Sequence, residues 1–119
     1  MSPQLTDAIA AIDKINSQVG LRRDLSSVDA RRDILKLRQM TNAALSDFET
    51  SARADLAARP EDQAAFRSRM AAVRSVVTLH QASWPAVSLD ERTEEYLASS
   101  ENVRAKIDGL LRWVRGLRV

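Results

Sequence analysis

FRSRMAAVRSVVTLHQASW, residues 66–84, decides the fold. Phe66, Met70, Val73, Val77, His80 and Trp84 recur at steps of four and three, which gathers them on one face of a helix. Tyr96, Ser100, Val103, Ile107, Leu110, Val114 and Leu117 repeat the spacing further on. Ile34, Leu37, Thr41, Ala44, Phe48 and Ala52 make a third seam. Stripes this long must be buried, and other helices are the natural cover. The β-branched run Val76-Val77-Thr78 sits inside a helical seam and so does not argue for a strand.

Punctuation between the seams sets the helix ends. Ser2 reads as an N-cap with Pro3 at the first helical position, and Gly20 as the C-cap of the first helix. Ser26-Ser27-Val28-Asp29 opens a second helix that runs to about Ala58 and stops before Pro60. The third starts at Pro60 or Glu61 and ends before Pro85. Ser88-Leu89-Asp90-Glu91 has the pattern of a capping box for the fourth, which runs to about Leu117; Ser99-Ser100 could kink or break it, and the sequence leaves its continuity there open. Short connections make neighbouring helices antiparallel. The expected fold is therefore all-α: one domain over 1–119, an antiparallel up-down four-helix bundle with a short first helix.

The totals agree. Of 119 residues, 45% are hydrophobic and 29% charged, with three Gly and three Pro. This is the balance of a globular chain with few loops. A chain this long buries roughly 65% of its unfolded surface. No cysteine is present, which excludes disulfides and thiol chemistry. The amino-terminal residues lack the pattern of a signal peptide, and no apolar stretch approaches the ~20 residues of a membrane span. A cytoplasmic, soluble protein is the expectation. The basic residues are mostly Arg and alanine is abundant, as in proteins of GC-rich bacterial genomes.

Folding the second and third helices about Pro60 brings Phe48 level with Val73, Ala44 with Val77, and Thr41 or Met40 with His80. A first helix of about 17 residues, packed from a tight turn, covers only the first half of the second helix. The other end, around Leu56, Phe66, Ile107 and Leu110, is left with three helices. That end is expected to pair with a second copy or a partner's helix. Trp113, one position off its seam, and the neighbouring Arg112 complete the expected partner-binding set with Leu56 and Leu110. The functional expectation is a non-enzymatic interaction or regulatory module that self-associates, with no cofactor or metal.

Other chemistry is thin. Arg104, Lys106, Arg112, Arg115 and Arg118 give the last helix a basic face suited to nucleic-acid phosphates, the alternative reading. Bases at a helix carboxyl end also simply complement its dipole. Leu110 to Arg118 has the composition of an interfacial helix, but its leucines are needed in the seam. His80 is the only histidine. Histidine phosphotransfer domains are four-helix bundles with one active histidine, but theirs is exposed and followed by a basic residue. His80 sits on a seam and is followed by Gln81, Ala82 and Ser83. Packing in the core or at its rim, with a hydrogen bond to Thr41 or a backbone carbonyl, is the expectation. Met40 with His80 is a weak haem pair, and one histidine excludes a di-iron bundle site. The glycines are isolated, so no phosphate loop exists.

Overall fold

The structure, a computed structural model, describes residues 1–117. Helices α1 (Pro3–Leu21), α2 (Val28–Asp55), α3 (Pro60–Ser83) and α4 (Thr93–Arg115) form a bundle of 48 × 23 × 18 Å. One 3-10 turn, Ala86–Ser88, precedes α4. No strand occurs among the described residues. The fold is all-α, and α1, at 19 residues, is the shortest of the four α-helices.

Local chemistry explains most helix ends. Ser2 Oγ accepts from the Leu5 N–H at 3.1 Å, with Pro3 opening α1. Ser27 Oγ accepts from the Ala30 N–H at 3.0 Å. Each cap satisfies a donor that the first turn leaves open and contributes about 1 kcal/mol. Pro60 starts α3, with Glu61 and Asp62 at the positive end of its dipole. α2 stops at Asp55, short of Ala58, because the Arg59 N–H turns back to the Leu56 carbonyl at 2.9 Å.

At α4 the structure corrects one expectation and settles one open question. The capping box at Ser88 does not form. Glu91 N–H bonds the Ser88 carbonyl within a short turn, Ser88 Oγ donates to the Pro85 carbonyl, and the helix begins at Thr93. Burial of Leu89 takes precedence, since it anchors this loop in the core. Nor do Ser99 and Ser100 break α4, because their hydroxyls turn inward to side-chain partners instead of competing for the helix backbone. Gly20 is no left-handed cap either. α1 runs through it to Leu21.

The main core contains most of the apolar residues of the expected seams. Phe48 and Phe66 meet edge to face, with ring centroids 5.7 Å apart. Around them lie Leu45, Leu56, Met70, Ile107 and Leu111. The α2–α3 register also holds: Arg74 Nε donates to Glu49 at 3.0 Å and Asn42 Nδ2 to Gln81 at 3.2 Å.

The placement of α1 is the largest departure. The Ser2 N–H donates to Asp55 Oδ2 at 2.8 Å, so α1 begins beside the end of α2. Its other end is level with Asp33, which pairs with Arg22 at 3.7 Å. The connection 22–27 is not a tight turn. It runs back along the first turns of α2, where the Leu25 carbonyl accepts from Arg31. α1 therefore fills the end around Leu56 and Leu110. The opposite end is the one it leaves open. Loops close that end: Leu25 and Leu89 join Ile34 and Tyr96 in a second, smaller core, with Trp84 and Leu97 against it.

Candidate functional site

Between the two cores the bundle holds a cavity of about 40 Å³ whose largely apolar walls carry a few polar side chains. Arg38 and Thr41 of α2, His80 of α3, and Tyr96 and Ser100 of α4 border it, and Asn16 of α1 closes one side. These residues occupy seam positions, or positions next to a seam, in the layer between the two apolar cores. Helix periodicity turns them inward, and their polar groups interrupt the apolar packing of the layer.

His80 Nδ1 lies 2.7 Å from Ser99 Oγ, and its ring tilts over Tyr96 with centroids 5.4 Å apart. Burial, and then the charge of Arg38, push the imidazole down to about 4, so it is neutral at pH 7. The expected bond to Thr41 is not made. That hydroxyl donates to the Leu37 carbonyl of its own helix at 2.8 Å. Burial also raises the Tyr96 hydroxyl above its ordinary value, against the opposing pull of Arg38 and hydrogen bonds to Ser100 and Arg38. Burial lowers Arg38 in turn. Nε and Nη2 of Arg38 are shielded from solvent and have no acceptor among the described residues.

Next to this layer α1 and α4 are stitched by polar contacts. Asn16 Nδ2 donates to the Arg104 carbonyl at 3.2 Å and to Asp108 at 3.0 Å. Arg104 Nε donates to the Asn16 carbonyl at 2.9 Å, and its Nη1 to Glu101 at 2.7 Å. Gly20 makes room for this guanidinium, because a Cβ there would overlap it.

The residues assigned to partner binding from the sequence fall apart in space. Leu56 and Leu110 are buried in the main core, which α1 completes. This placement follows from the displaced α1, which covers that end with the chain's own residues. Trp113 is half-buried against the same core, with the Arg69 guanidinium 4.7 Å above its ring. Arg112 is exposed. On the basic face of α4, Arg104 is engaged as above and Arg115 pairs with Asp13, which leaves Lys106 and Arg112 turned outward. Arg118 lies outside the described residues. Met40 is exposed rather than facing His80 across the core.

Sequence reading missed both Arg38 and the apolar surface of the opposite end. Leu21, Val28, Leu35, Met40, Leu79 and Val87 are exposed, and with Met1 they are the large apolar side chains in that state among the described residues. All but Met1 lie in the half of the bundle away from Pro60. Val28 and Leu35 stand one heptad apart on α2, and with Val87 they border a groove of about 270 Å³ flanked by Arg31 and Arg32. The heptad step from Val28 to Leu35 was visible in the sequence. What hid it was the assumption that α1 covered this part of α2.

Among the described residues no group of three or more metal-ligating side chains stands together, and no helix is long and apolar enough to cross a membrane. Comparison with known proteins finds no matching family model, no matching curated protein and no matching solved structure.

Proposed function

We propose that this protein is a non-enzymatic helical interaction module that associates with a second copy of itself through its loop-closed end. The observation that carries the reading is the one-sided distribution of exposed apolar side chains. Val87 is 84% and Leu35 48% exposed, on a groove that no other part of the described chain fills. Grouped apolar surface of this kind marks interaction sites. A second copy suits the charge pattern. Asp29 and Arg32, an exposed pair of opposite sign, adjoin the apolar strip. A twofold axis through the strip would exchange their partners, as a self-complementary interface requires.

Light scattering on the eluting chain tests this. The expected mass is twice the chain's 13.2 kDa. Leu35→Glu with Val87→Glu should return the monomer with helicity intact, since both side chains face solvent in the single chain. A wild-type monomer at high concentration removes self-association. Nucleic-acid contact, the other reading, would rest on Lys106 and Arg112, and a low-salt anisotropy titration of their alanine variants tests it separately.

A further inference from the structure

Arg38 carries a charge into the bundle with no counter-ion beside it among the described residues. Among the described residues no Asp or Glu borders its cavity. Arg104, the other guanidinium there, is committed to Glu101 and the Asn16 carbonyl. The open donors of Arg38 are Nε and Nη2. These two N–H groups form one edge of the planar guanidinium and point in parallel, the arrangement that grips both oxygens of a carboxylate. Leaving such an edge unpaired away from water is costly, so an acceptor that completes it binds with a built-in advantage.

We propose that the cavity is a binding site for the carboxylate of a small aliphatic acid, held on the Nε–Nη2 edge of Arg38 with its tail against Val77, Val103 and Ile107. The net excess is one positive charge, which matches a monoanion better than phosphate. The volume of about 40 Å³ holds roughly three or four water-sized groups, the size of acetate or propionate. The apolar walls favour the acid with a short tail over an inorganic oxyanion. In this structure the edge is shielded from solvent, and binding requires rotation about the terminal torsions of Arg38 to turn it into the cavity. α2 and α3 pack sparsely here. The Asn42–Gln81 amide pair, at 3.2 and 3.4 Å, bridges their rim, and parting it admits the ligand.

His80 and Tyr96 are the only histidine and the only tyrosine, so their ring resonances report on this cavity alone. Sodium propionate, sodium phosphate and sodium chloride are titrated at matched ionic strength and followed by NMR. Propionate should give saturable shifts of both rings in the millimolar range. Chloride should give none that saturate, and phosphate should bind more weakly than propionate. Arg38→Met should abolish the propionate response. Arg38→Lys keeps the charge but loses the paired edge, and should weaken binding about tenfold or more. It carries the test alone if Arg38→Met fails to fold. Absence of saturation by propionate, an equal response to chloride, tighter binding of phosphate, or undiminished binding in a folded Arg38 variant overturns the assignment.

Discussion

The Ser2 backbone N–H is bonded to the Asp55 carboxylate at 2.8 Å, tying the first turn of the chain to the last turn of α2. Asp55 also sits at the positive end of the α1 dipole, which offsets its unfavourable place at the end of its own helix. Ser2 contributes twice, because its hydroxyl caps the same turn. Asp55→Ala and Ser2→Ala should each cost about 1 kcal/mol. Both touch one cluster, so urea melts of the double variant should show non-additivity. Strict additivity would separate the cap from the tie.

His80 makes stability depend on pH. The unfolded imidazole titrates near 6.5, while burial and Arg38 hold the folded one at about 4. Between these values the unfolded chain takes up a proton that the folded chain does not, so stability falls as pH drops from about 6.5 towards 4. The contribution is complete above 6.5. Discounted for partial exposure, the loss is about 1–2 kcal/mol. Comparing His80→Gln with wild type across that window isolates it from the carboxylates. Parallel pH profiles would rule out the assignment.

Gly20 and Gly109 should respond oppositely to alanine. At Gly109 nothing lies near a new Cβ, and Gly109→Ala should stabilise α4 by about 1 kcal/mol. At Gly20 the new Cβ would displace the Arg104 guanidinium from Asn16 and Glu101. Gly20→Ala should therefore destabilise by about 1 kcal/mol net of the helix gain. In an Arg104→Ala background the sign should reverse. Thermal melts of the four variants check both effects.

Leu56 and Leu110 are buried in the main core. Leu56→Ala and Leu110→Ala should each cost about 2–5 kcal/mol and leave the association of the folded chain unchanged. Light scattering below the melting transition distinguishes this from an interface role. A stable variant with altered mass would return these residues to the surface.

Seam periodicity made the helices legible, because every turn repeats the same local constraint. Proline boundaries at Pro60 and Pro85 were legible for a similar reason: the ring acts on its immediate neighbours whatever the rest of the chain does. The capping pattern at Ser88 misled because burying Leu89 outweighs one cap. His80 was correctly placed on an inward face, but its partner Ser99 lies on another helix and no local pattern names it. Arg38 gave no signal at all. Its distinction is that no acid among the described residues borders its cavity, which depends on all four helices at once.

By itself, then, the order of residues determined four amphipathic segments and their alternating directions, since both follow from spacing and from short connections. How far α1 slides along α2 was settled only in three dimensions, where the Ser2–Asp55 contact and the burial of Leu56 and Leu110 compete with the geometry of a tight turn. That offset of a few turns decides which end is packed by helices and which by loops, and so where the Arg38 cavity and the exposed apolar surface lie. Sliding a helix changes no local preference. Its free energy is a sum over distant contacts, which a linear pattern does not contain.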